Sequence, residues 1–216
     1  MFLVTLAALG AMWDGVIERW EGGAFLLTLV IFIVFMVATP GPANMVLMIG
    51  GAQKGVRACF GFIIGVVCGK LLLNLLFGFG FGLFLADQPA LVQVLKFISA
   101  GYMIWLALQS WNSDKEKNGG NKTFTFRYGI IVHPLNPKAW VMVILTWSQF
   151  ASGLGSFSTQ LLLVISSFAA VQLIFHTIWC WTGSLLQRAL PKNSLLTRGM
   201  ILITVVIVIW ALLYDS

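Results

Sequence analysis

The chain has 216 residues, 59% of them apolar and only 9% charged, with a net charge of +6 and a mean hydropathy of +0.94. This balance excludes an ordinary soluble domain and a disordered chain, and it places the protein in the membrane class. The basic excess does not imply a nucleic-acid partner, because the Lys and Arg residues sit in short loops between apolar runs and gather on no single face.

Residues 1–22 carry Asp14, Glu18, Arg19 and Glu21, and their apolar part is too short to span a bilayer. They read as an N-terminal extension, either interfacial or an effect of start-site choice with Met12 as the alternative start. No basic n-region marks a secretory signal. Apolar runs, taken against the roughly 20 residues that a span requires, follow near 24–50, 58–86, 89–111, 128–150, 159–186 and 199–214. The expected fold is therefore all-α and integral to the membrane, with six transmembrane helices.

The first and fourth runs are interrupted by proline at their centres, in ATPGPANMVLMIG and VHPLNPKAWVMVI. Asp87-Gln88-Pro89 is a turn signal that makes a hairpin of the second and third runs. Residues 112–123, NSDKEKNGGNKT, are a solvated polar linker. The organisation expected is an extension over 1–22, a three-helix repeat over 23–111, a cytoplasmic linker over 112–123 and a second repeat over 124–216. Each repeat contains a broken span followed by two more. An odd number of spans per repeat inverts the second copy relative to the first, as in many secondary carriers.

Assigning alternate loops to one side puts Lys54, Arg57, Lys115, Lys117, Lys122, Arg127, Arg188, Lys192 and Arg198 together and leaves only Arg19 opposite. That bias predicts the cytoplasmic side of the inner membrane for these loops, with both termini outside. Lys70, Lys96 and Lys138 fall within runs.

A break at membrane depth frees backbone polar groups that lipid cannot satisfy, so it is tolerated where protein or a polar cavity satisfies them. Two breaks in corresponding positions point to a transporter's binding site. At the first, Pro40 and Pro42 donate no backbone hydrogen bond and Gly41 lets the chain turn between them. A helix restarting after Pro42 would expose its first amides and its positive dipole end beside Asn44. At the second, Asn136 is a good N-cap, Pro137 suits the first helical position and Lys138 adds charge. One kink alone would more simply shape packing; the matched pair favours a substrate site.

Lys70 and His176 lie near the middles of the second and fifth runs. Ionisable groups at that depth face a cavity or a partner. Yet all seven acids (Asp14, Glu18, Glu21, Asp87, Asp114, Glu116, Asp215) lie outside the spans or at their ends. Lys70 is left with backbone carbonyls, with neutralisation, or with an anionic group on a substrate. His176 reads either as a proton relay or as a hydrogen-bonded packing residue. Lys96, near the outer end of its span, reads as snorkelling.

Gly61, Gly65 and Gly69 form a small-residue face for close helix packing, and Gly78, Gly80 and Gly82 loosen the outer end of the same run. Cys59, Cys68 and Cys180 show no C-x-x-C spacing and read as packing residues. The tryptophans divide between interfacial anchors and packing. Neither a metal nor another cofactor is expected.

The run ATPGPANMVLMIGGAQKGVRACFGFIIGVVCGK resembles the first signature of LysE/RhtB-type amino-acid exporters, with its PGP and its spaced glycines. GYMIWLALQSW is similar to the third-span segment and NPKAWVMVI to the second-half signature, so the likeness runs from about residue 22 to 214. The resemblance implies six spans and outward export of amino acids or similar metabolites driven by the proton gradient. By position it carries motif roles onto Pro40, Gly41, Pro42, Asn136, Pro137 and Lys138. The chain departs from the pattern at Ala43, which precedes Asn44, and at Lys70 and His176, which stand where many members have Asp.

The function expected is a secondary exporter, not an enzyme, whose small zwitterionic or anionic substrate binds at Pro40, Gly41, Pro42, Asn44, Lys70, Asn136, Pro137 and Lys138, with His176 as proton relay. Lys70 and the absence of acids disfavour a cationic substrate. The lipid bilayer is the other partner, and homo-oligomer formation is left open. The alternatives are a membrane-embedded thiol or electron carrier and a non-transporting subunit of a membrane complex. Cys59 lies seventeen residues beyond Pro42, far in sequence for a thiol relay at that break.

Overall fold

In a computed structural model covering residues 22–109, 111, 124–189 and 194–214, the chain is helical with no strand among these residues. Nearly all of the expected extension, the polar linker with Lys115, Lys117 and Lys122, Lys192, and the Lys96 side chain lie outside the described residues.

Helix α1 (Gly22–Ala38) bends by 57° into α2 (Pro42–Lys54). Then come α3 (Val56–Gly78), α4 (Phe81–Ala86) and α5 (Pro89–Leu108). Helix α6 (Phe126–Val132) bends by 59° into α7 (Pro137–Leu145). A wider π turn over Thr146–Phe150 and a tighter 3-10 turn over Ala151–Leu154 prolong α7. Helices α8 (Phe157–Ala189) and α9 (Ser194–Tyr214) complete the bundle.

The boundaries follow residue chemistry. Pro42, Pro89 and Pro137 each open a helix, where a missing N–H costs nothing. Gly55 and Gly80 separate helices at φ of 76° and 94°, in the region that favours glycine. The second apolar run is therefore not one straight helix: α3 stops at Gly78 and α4 restarts at Phe81.

Among the described residues, two continuous helices, α3 with 23 residues and α8 with 33, are long and apolar enough to cross a bilayer, and each bent pair qualifies when taken together. Helices α5 and α9, with 20 and 21 residues, carry shorter apolar stretches. Large apolar side chains cover the outer surface, including Leu27, Ile31 and Phe35 at successive turns of α1 and Ile174, Ile178 and Trp181 on α8. Water would penalise such a surface and lipid would not.

Inside, glycines set how closely helices approach. A Cβ on Gly51 of α2 would meet the Cys180 carbonyl of α8, and one on Gly183 of α8 would meet the Met48 carbonyl of α2. Gly65 of α3 faces Gly129 of α6, and Gly69 lies against Ile130 and Pro134. The expected glycine face is thus used, and its partner is the first half of the second broken span. Phe124 and Cys59 both flank Gly50. This packing gathers Lys54, Arg57, Arg127 and Arg188 toward one end of the bundle. The three cysteines are free; Cys59 and Cys180 belong to the buried core.

Candidate functional site

Each break must find partners for the carbonyls that a continuous helix would have satisfied. At the first, Asn44 reaches back from α2, and its Nδ2 donates to the Val37 carbonyl at 2.8 Å and to the Thr39 carbonyl at 2.9 Å. The Thr39 hydroxyl donates to the Met36 carbonyl at 3.0 Å. Helix α2 has no side-chain cap: its N-cap is Gly41, and its first backbone bond runs from Met45 N to the Gly41 carbonyl at 3.0 Å. The amides of Ala43 and Asn44 precede that ladder.

The second break is closed from within. Asn136 Oδ1 accepts from Lys138 N at 3.1 Å, the cap that the sequence suggests. Leu135 N reaches the Ile131 carbonyl at 3.0 Å, and Asn136 N reaches the His133 carbonyl at 3.1 Å. Trp140 Nε1 donates to the Pro134 carbonyl at 2.8 Å. The two helix starts therefore differ: α7 spends its first amides on its own cap, and α2 does not.

Lys138 joins the breaks. Its Nζ lies 2.7 Å from the Thr39 hydroxyl, 3.1 Å from the Thr39 carbonyl and 3.5 Å from the Pro40 carbonyl. The side chain passes so close to Gly41 that a Cβ there would lie 3.2 Å from Lys138 Cδ. Residues 98 and 99 positions apart in sequence thus meet at the two bends.

Between the bends lies a hollow of about 280 Å³, its mouth included. Its polar wall is Asn44, His133, Asn136, Lys138, Gln172 and His176, and Met36 and Met142 are among its apolar lining. None of the described residues lining it is acidic. The free interior is only about 20 Å³, little more than the roughly 10–15 Å³ that one water needs, so a metabolite would be admitted only as the two bends part. Of the residues anticipated from sequence, Gly41, Asn44, Asn136, Lys138 and His176 line this hollow, while Pro40, Pro42 and Pro137 form the adjoining bends.

Lys70 stands behind the wall. It is fully buried, its Nζ donates to the Ala139 carbonyl of α7 at 2.8 Å, and it lies 4.7 Å from the centre of the Phe168 ring. Backbone and ring partners occupy the position where a carboxylate would be the usual partner. We expect Lys70→Met to retain stability within about 1.5 kcal/mol, since it keeps the volume and removes a buried charge. Lys70→Ala should cost roughly 2–5 kcal/mol through the void it leaves. Thermal unfolding of the two purified variants checks the contrast.

Two polar wall residues were not singled out from sequence: His133 and Gln172. The Gln172 Nε2 lies 3.3 Å from His133 Nε2, and the His133 and His176 rings are 5.4 Å apart between centroids. Gln172 and His176 are one helical turn apart, a spacing that puts both on one face of α8. His133 lies inside the second break, directly before Pro134. His133 Nδ1, His176 Nδ1 and Gln172 Oε1 are buried with no hydrogen-bond partner among the described residues.

A helical membrane protein with two broken spans meeting at a small polar hollow has the architecture of a transporter and not of an enzyme. The chain belongs to the LysE type translocator family, whose family model matches residues 34–214. It is 22% identical over 192 residues to the leucine efflux protein of Enterobacter sp. (strain 638), covering 85% of this chain and 88% of that one. It is 27% identical over 153 residues to the cysteine/O-acetylserine efflux protein of Salmonella typhimurium, covering 70% and 78%. An uncharacterized membrane protein of Vibrio cholerae is 24% identical over 181 residues, covering 81% and 86%. No solved structure matches the chain.

Proposed function

We propose that the protein is a proton-coupled secondary exporter of the cytoplasmic membrane for amino acids or related small zwitterionic or anionic metabolites. Family membership and relatives named for leucine and for cysteine/O-acetylserine efflux support this direction and this substrate class. In this reading α1–α2, α3–α4 and α5 are three spans, and α6–α7, α8 and α9 are their inverted counterparts. The gathered basic ends of α2, α3, α6 and α8 support a cytoplasmic location for that side and outer locations for both termini.

The observation that carries the reading is the tie from Lys138 to Thr39 and Pro40 at the edge of the hollow. It places a cation and the uncapped start of α2 beside the same small space. A substrate carboxylate would take the Ala43 and Asn44 amides and compete for Lys138. Pro40, Gly41 and Pro42 hold one side of this cradle, and Asn136 and Pro137 hold the other. Lys70 supports it from behind through Ala139, and His176 serves as the proton relay.

The test is efflux of radiolabelled L-leucine or O-acetyl-L-serine from loaded proteoliposomes, with the outside made acidic. Saturable efflux that collapses with the pH gradient is expected for at least one of them. Native-rate export by both Lys70→Ala and Lys138→Ala would overturn the carboxylate cradle.

A further inference from the structure

Resting on the exporter reading above, we infer that Gln172 and His176 form an ammonium subsite oriented by His133, so that the substrate is a zwitterion and a protonated His133 competes with it for one atom, Gln172 Oε1. Many sites would hold a substrate ammonium with a carboxylate, but the described wall carries none. Instead it offers buried polar atoms with nothing bound to them. Gln172 Oε1 is only ever an acceptor, and Gln172 is fully buried in the wall. A buried, unsatisfied acceptor carries a desolvation penalty that a donor from a bound molecule would remove. The ammonium of an amino acid whose carboxylate lies at Lys138 and the start of α2 is such a donor. His176 Nδ1, one turn along the same helix and also unpartnered, is its second acceptor when the ring is neutral.

The amide of Gln172 and the ring of His133 must match as donor and acceptor. Its Nε2 faces His133 Nε2 at 3.3 Å. An amide nitrogen only donates, so His133 Nε2 must accept and His133 must be neutral in this arrangement. A proton arriving from water at His133 Nε2 turns that acceptor into a donor. The amide must then rotate to present Oε1 to His133, which takes Oε1 away from any other donor. The charge now on the imidazole also repels an ammonium in the same small space. Among the described residues, the ionisable groups around His133 are His176 of α8, Lys138 of α7 and Lys70 of α3. None is anionic, and α1 and α2 contribute Met36, Val37, Gly41, Ala43 and Asn44 to the wall. Proton binding and substrate binding therefore exclude one another. Mutual exclusion is what an exporter needs if an entering proton is to drive a substrate out.

The experiment uses the full-length protein in detergent. Thermal stabilisation by the twenty common L-amino acids and O-acetyl-L-serine selects the strongest ligand. Its binding is then measured by calorimetry in buffers of different ionisation enthalpy between pH 4.5 and 7.5, beside its des-amino analogue. The zwitterion should release protons on binding at the acid end of this range and bind more tightly as pH rises from it; the des-amino acid should do neither beyond the titration of its own carboxyl group. Gln172→Leu should weaken the zwitterion at least tenfold and leave the des-amino acid within about twofold, and Gln172→Glu should restore binding of the zwitterion. Equal affinities and identical pH profiles for the two ligands, with binding intact, overturn the ammonium subsite alone. If no ligand of the panel stabilises the protein, the amino-acid exporter reading falls and this subsite falls with it.

Discussion

Lys138→Met is expected to cut efflux by between ten- and a hundredfold while leaving the protein folded. The substitution keeps most of the side-chain volume along Gly41, so packing is largely preserved. What disappears is a charged donor within 2.7–3.5 Å of three oxygens of the first break. Hydrogen bonds to charged groups are worth about 1.5–3 kcal/mol each, and one such loss in the transporting states gives that range of rates. Lys138→Ala should be equally slow and also less stable, because the channel beside Gly41 empties. Lys138→Arg should recover only part of the rate, since the planar guanidinium cannot reproduce a point charge among three oxygens. Initial efflux rates from proteoliposomes, normalised to reconstituted protein, check all three. A native rate for Lys138→Met would separate the cation from transport.

The second large effect lies in the helix contacts. Gly51→Ala and Gly183→Ala should each lower stability by on the order of 3 kcal/mol, the upper part of the range for overpacked interiors. In both, the added Cβ runs into a backbone carbonyl of the facing helix, Cys180 for one and Met48 for the other. No side-chain rotation relieves such a contact; α2 and α8 must separate. Gly101→Ala is the matching control, because a Cβ there meets nothing within 4 Å. It should be neutral or stabilising by about 0.5–1 kcal/mol. Melting temperatures of the three purified variants should fall by roughly 6–12 °C for the first two and not at all for the third. Equal behaviour of Gly51→Ala and Gly101→Ala would contradict the close approach.

The parts of this structure legible in the sequence are those written in local chemistry. Pro40, Pro42 and Pro137 announce the bends because a proline cannot sit in a helical ladder, and Asn136 announces its own cap. The Gly61, Gly65, Gly69 spacing marks a packing face, and the facing Gly129 supplies its counterpart. What stayed hidden depends on contacts across the bundle. Gly51 and Gly183 are 132 positions apart and share no periodicity. Asn44 lines the hollow, and the bonds by which its side-chain nitrogen closes the Val37 and Thr39 carbonyls carry no signal in the sequence. For Lys70 the sequence leaves open backbone carbonyls, neutralisation or a substrate anion, and only the fold supplies the particular partners, the Ala139 carbonyl and the Phe168 ring. His133 and Gln172 escaped notice because a histidine beside a proline and a glutamine within an apolar run carry no signal until folding places them together. The fraying of the second run at Gly80 was signalled by its glycines, but the clean restart as α4 was not.

The most direct measurement concerns Ala43, which is buried in the hollow wall where α2 begins. An Ala43→Cys variant, compared with the wild-type protein and its own three free cysteines, is reacted with a small polar thiol reagent with and without a saturating transported amino acid. Labelling that exceeds wild type and slows several-fold when the amino acid is present is the expected result. If labelling proceeds at the same rate with and without it, the space between the two bends is not where the substrate is held.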